Sequence, residues 1–165
     1  MKNIFFALIA SLLFLGCSSN ATPKDVQAKL VVGQSLKDFA LPDQHEKVQK
    51  LAPNTKVIFF SFAKPTGHIC NEFLGSKDAS YLAQHHAVYV ADVSPAPSLI
   101  KTMFILPDLK KLPFPILLIN DDTLSAEYSK GMDKESIVMV YLNDGTITKI
   151  ENIHDAKALE AALNN

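Results

Sequence analysis

A chain of 165 residues in which 48% are hydrophobic is sized for one packed domain with a core of its own. Its formal net charge of −1 leaves no basic footprint of the kind nucleic acid selects. All sixteen basic residues are lysines, and the chain contains neither arginine nor tryptophan.

The two cysteines, Cys17 and Cys70, lie in segments of different fate and are not expected to pair. Met1-Lys2-Asn3 is a short basic start, and Ile4 to Leu15 is an apolar run of signal-peptide length. It is too short to span a bilayer comfortably. The run ends in Leu15-Gly16-Cys17-Ser18-Ser19, which resembles the lipobox of bacterial lipoproteins, with Phe14 where that family usually has leucine. The resemblance implies that Cys17 is lipidated and becomes the mature N-terminus. The protein would then face the periplasm from a membrane of the cell envelope, the outer membrane in a Gram-negative source. The rival is signal cleavage after Ser19-Asn20-Ala21, a small-x-small site that leaves a secreted or periplasmic soluble protein. The expected organisation is a signal peptide over 1–17, a polar tether over 18–30 and a single domain over 31–165.

Within that domain, alternation through Phe39-Ala40-Leu41, a Pro-Asp turn, then Val48 and Leu51 predicts a short hairpin. Lys56 to Ala63 is continuously apolar, as a buried central strand is. A helix is expected from near Cys70 to His85, weakened by Gly75. Ala87 to Val93 reads as the next buried strand, Ser98 to Ile105 as a helix, and Ile116 to Ile119 as a third strand. Asp121-Asp122-Thr123 can cap a helix running to about Ser129. Ser136 to Leu142, the turn Asn143-Asp144-Gly145 and Thr146 to Ile150 form a hairpin signal. His154-Asp155 then opens a last helix over Ala156 to Leu163. Strands alternating with helices imply parallel pairing in the middle, and the late hairpin adds antiparallel strands.

Cys70 is the residue on which function turns. A thiol at a helix start lies among unpaired backbone N–H groups, near the positive end of the helix dipole, and both favour thiolate. Thr66 and His68 lie close enough in sequence to support such a sulfur, His68 by charge when protonated. The rival reading is a buried structural cysteine behaving as a small hydrophobe. His68 with Cys70 supplies only two metal ligands, so no metal site is assigned, and no cofactor motif stands out.

The element order, together with Gly33, Asp38-Phe39, Leu41-Pro42-Asp43-Gln44, Phe114-Pro115-Ile116-Leu117-Leu118, Glu127-Tyr128 and Asn143-Asp144-Gly145, resembles the peroxiredoxin branch of the thioredoxin superfamily. The likeness runs from roughly Val31 to Leu163. It implies an α/β fold, a thioredoxin-like three-layer sandwich with a central mixed sheet and flanking helices. It also implies that Cys70 stands where peroxiredoxins keep the cysteine that attacks peroxide.

Its companions depart from the family. The proline seven residues earlier is Ala63, the threonine three earlier is Gly67 with Thr66 beside it, and Ser136 stands near the place of an arginine. Those groups orient the peroxide and polarise its O–O bond. Loss of one such oriented donor costs on the order of a hundredfold in rate. No second cysteine makes the Cys-x-x-Cys of thioredoxins. Thr66 replaces the first cysteine of the Cys-x-x-x-Cys used by the copper-delivery Sco family.

The leading expectation is therefore an envelope lipoprotein with one reactive cysteine, attacking a peroxide or disulfide and resolved by an external thiol reductant. The second is a non-catalytic thioredoxin-fold lipoprotein that binds a partner. A Sco-like copper-binding module is third.

Overall fold

The computed structural model describes residues 26–164. The signal segment and Cys17 lie outside them. No helix among the described residues is long and apolar enough to cross a membrane.

The chain opens with β1 (Ala40–Pro42) and β2 (Val48–Lys50), an antiparallel pair that forms the expected hairpin. A five-stranded sheet follows from β3 (Val57–Ser61), β4 (Ala87–Asp92), β5 (Ile116–Ile119), β6 (Ile137–Asn143) and β7 (Thr146–Ile153). Its order is β5-β4-β3-β6-β7. β3, β4 and β5 run parallel, and β6 and β7 are antiparallel neighbours, so the sheet is mixed as expected.

The uninterrupted apolar character of β3 comes from burial on both faces. Val57 and Phe59 pack with Phe73, Leu74, Leu159 and Leu163 in one layer. Ile58 and Phe60 pack with Tyr128, Val138 and Val140 in the other. The first layer belongs to α1 (Lys64–Gly75) and α6 (Ala156–Leu163), and the second includes α5 (Asp122–Ser129). Both late helices start where the sequence places them. The Asp121 carboxylate accepts from the Leu124 amide at 2.9 Å, and that of Asp155 accepts from Ala158 at 2.7 Å. Asp144 and Gly145 take positive φ, as a tight two-residue hairpin turn requires.

Three expectations about the helices are corrected. The helix expected from Cys70 to His85 is two helices, α1 and the single turn α2 (Tyr81–Gln84), broken after Gly75. α1 also begins six residues before Cys70, because Pro65 favours the first helical turn, where a missing N–H leaves nothing unpaired. Just before Val31, Leu30 is buried in the core, and Lys29 pairs with Glu127 through its amide and its ammonium. The helix expected at Ser98 runs on past Ile105, as α3 (Ser98–Ile100), a π-helical turn (Lys101–Ile105) and α4 (Leu106–Leu109).

Asp43 and Gln44 join the hairpin to the sheet. The Asp43 carboxylate accepts from the His45 and Lys47 amides and from the Gln49 side chain, at 2.7–3.0 Å. Burial alone would push this carboxyl up, but the hydrogen bonds from Gln49, Lys47 and His45 outweigh it and hold its pKa below the ordinary value. A carboxylate with a lowered folded pKa stabilises above its unfolded pKa, and that contribution fades as pH falls through the folded value. Asp43→Asn is therefore expected to flatten the loss of stability below about pH 4, read from urea unfolding at several pH values. An unchanged acid profile would remove Asp43 from that role.

Candidate functional site

The parallel strands β3 and β4 end side by side, and the chain leaves β3 through Phe62 and Ala63 to enter α1. Ala63 is the extended N-cap residue, with no side chain able to cap. Thr66 takes over that work: its hydroxyl donates to the Ala63 carbonyl at 2.9 Å and accepts from the Ala63 amide at 3.3 Å. Thr66 is buried and committed to the helix start.

Cys70 lies one turn further along the same face of α1 and is fully buried, packed with Val57, Phe73 and Leu74. Its amide is inside the helix and the dipole effect is confined to the first turn, so neither influence expected at a helix start reaches the sulfur. Burial pushes the thiol up to about 12, and hydrogen bonding to the Tyr89 hydroxyl offsets only part of that rise. Cys70 is a protonated thiol at neutral pH.

His68 points the other way. Successive helical residues are about 100° apart, which sets His68 and Cys70 on opposite sides of α1. The His68 ring is exposed and meets Glu72 at 3.2 Å, an i,i+4 surface pair of small energetic weight. Among the described residues no group of three or more His, Cys, Asp or Glu side chains gathers as a metal site. The structure thus brings Thr66 and Cys70 onto one buried face and leaves His68 apart from both.

Beyond the ends of β3 and β4 opens a cleft of about 890 Å³, the place where α/β sheets present ligands. Ser61, Tyr89 and Ala91 line it from the sheet, and Phe62, Ala63, Lys64, Gly67, His68 and Asn71 from α1 and its approach. Ile100, Phe104, Ile105 and Leu109 form the far wall, on the segment interrupted by the π-helical turn. Leu99, Ile100, Met103 and Phe104 of that segment are exposed, Leu99 by 67% and Phe104 by 57%. Charged groups on the lining are mixed in sign: Lys64 and Lys134 stand with Asp92, Asp108 and Glu135.

Sequence reasoning missed Ser61, Gly67, Tyr89 and this wall. One signal was available, since Ser61 is a lone polar residue inside the run Val57 to Phe62.

Neither a family model nor any curated protein matches the sequence. Solved structures do match. Peroxidoxin BcpB from Mycobacterium tuberculosis is 15% identical and aligns over 81% of this chain and 94% of its own, with a TM-score of 0.52. An uncharacterised conserved protein from Geobacillus kaustophilus is 20% identical, over 82% and 81%, with the same TM-score. A mutant of peroxiredoxin 6 from Arenicola marina is 14% identical over 81% and 70%, with a TM-score of 0.51. The chain has a thioredoxin-like fold.

At these identities the likeness is one of fold. Within the thioredoxin-like fold of this chain, the turn from β3 into α1 carries Ala63-Lys64-Pro65-Thr66 and no cysteine. The sulfur expected there is inside the helix, and Pro115 precedes β5, so it does not border this turn. Ser136, which precedes β6, is buried with its hydroxyl donating to the Asp133 carbonyl at 2.9 Å.

Proposed function

We propose that this is a non-catalytic, thioredoxin-fold lipoprotein of the bacterial envelope whose cleft binds a ligand. One observation carries the reading: a large, mostly apolar cleft lies at the strand ends, while the sulfur is sealed within α1. Thr66 is the buttress of the helix start, and His68 is a surface residue at the cleft rim. The lipid on Cys17 would tether the domain to the membrane. Cys17→Ser is expected to move the protein from the detergent phase to the aqueous phase in phase partitioning. Retention in the detergent phase would remove the lipoprotein reading and leave a soluble exported protein.

A second reading keeps Cys70 as a nucleophile. Tyr89 acts on the sulfur and also lines the cleft, so one side chain separates the two. In that reading α1 opens, the Cys70 thiolate takes the distal oxygen of a peroxide and releases an alcohol, and the resulting sulfenic acid condenses with an external thiol to a mixed disulfide. A second equivalent of that thiol restores Cys70. Dimedone trapping after peroxide treatment decides between the two. A peroxide-dependent adduct on Cys70 within minutes supports the redox reading, and no adduct on folded protein supports the binding one.

A further inference from the structure

The floor of the cleft is built from two hydroxyls and one absent side chain. Ser61, the polar residue of β3, has its Oγ 2.9 Å from the Tyr89 hydroxyl, and both residues line the cleft. Gly67, the fourth residue of α1, passes above Ser61. A Cβ there would stand 3.6 Å from Ser61 Oγ and meet nothing else within 4 Å. The backbone does not ask for glycine at this point, because Gly67 lies inside α1 and has no positive φ. Glycine within a helix is weaker than alanine, so what the glycine supplies is space over the Ser61 hydroxyl.

Two hydroxyls joined by one hydrogen bond use only one of their two hydrogens. Either hydroxyl can donate to the other; when Tyr89, the more acidic, donates to Ser61 Oγ, the Ser61 hydrogen is free for a ligand. The competing acceptor for the Tyr89 hydrogen is the Cys70 sulfur, which is weak. In that arrangement no other hydrogen bond among the described residues takes up the Ser61 hydrogen. A carbonyl oxygen in the cleft completes the chain from Tyr89 through Ser61 to the ligand. Phe62, Val93, Pro97, Ile100 and Phe104 give the cleft a largely apolar lining, and the mixed charges on it select neither an anion nor a cation.

We propose that Ser61, buried at the cleft floor with 2% of its surface exposed, held by Tyr89 and with no side chain above it at Gly67, recognises the carbonyl oxygen of a small, neutral, largely apolar molecule. This rests on the ligand-binding reading of the cleft given above. Benzophenone and diphenylmethane test it, because they share shape and rings and differ by a carbonyl in place of a methylene. Each is titrated into the full Cys17→Ser chain and followed by amide chemical shifts along β3 and α1. Benzophenone is expected to bind about three- to tenfold more tightly, the worth of one neutral hydrogen bond. Ser61→Ala should erase that preference and leave diphenylmethane binding as it was. Gly67→Ala, which strengthens the helix, should weaken benzophenone by a similar factor. Equal affinities, with cleft amides shifting for both compounds, would overturn carbonyl recognition and keep the ligand-binding reading. If neither compound shifts any cleft amide, both fall.

Discussion

In a Cys17→Ser protein at pH 7, the folded chain is expected to label at Cys70 at least about a thousandfold more slowly than the chain in denaturant. Only thiolate reacts, and a rise from 9.0 to about 12 lowers the thiolate fraction at neutral pH by that factor before access is considered. Full burial in α1 adds to it. Ellman's reagent with and without urea reads the ratio directly. The sign also fixes a pH dependence. A thiol whose folded pKa is raised contributes stability that is fully present below its unfolded value and is lost as pH rises towards 12. Stability should therefore fall between about pH 9 and pH 12, and Cys70→Ala should remove part of that fall. Fast labelling of the folded protein would mean that α1 opens readily, and the redox reading would displace the binding one.

The misplacement of Cys70 in the sequence reading has a physical origin in Lys64-Pro65-Thr66-Gly67-His68. Proline and glycine side by side with polar residues read as a turn, which set the helix start near Cys70. Proline is equally at home in a first helical turn, and Gly67 is there for the space over Ser61. Local signals cannot separate those cases, because the deciding contacts come from β3 and β4. Elements with strong local chemistry were legible: the Asn143-Asp144-Gly145 turn, the Asp121 and Asp155 caps, and strands buried on both faces. The cleft was not. It is assembled from Ser61, Gly67, Tyr89 and the wall around Phe104, which span more than forty residues of sequence and meet only once the sheet is formed. Periodicity could mark Ser98 to Ile105 as helical, but not that Leu99, Met103 and Phe104 would remain exposed.

Gln44 offers the largest expected loss of stability. Its buried side chain behaves as a short extra strand laid on β5, the edge of the sheet: Oε1 accepts from the Ile116 amide at 2.8 Å, and Nε2 donates to the Phe114 carbonyl at 2.9 Å. Asp43, its neighbour, bridges to Leu117 of the same strand. Gln44→Met keeps nearly the same volume and leaves a buried N–H and a buried carbonyl unpaired. Each orphaned group costs about 1–3 kcal/mol, so the substitution is expected to lower unfolding free energy by about 2–6 kcal/mol. That is a large share of the roughly 5–15 kcal/mol typical of a domain. Gln49→Ala makes the contrast: it removes one partly buried bond to Asp43 and should cost only about 0.5–1.5 kcal/mol. Urea midpoints at constant slope measure both. Similar midpoints for the two variants would mean that water replaces the Gln44 amide, and that the edge of β5 is closed by main-chain and apolar contacts alone.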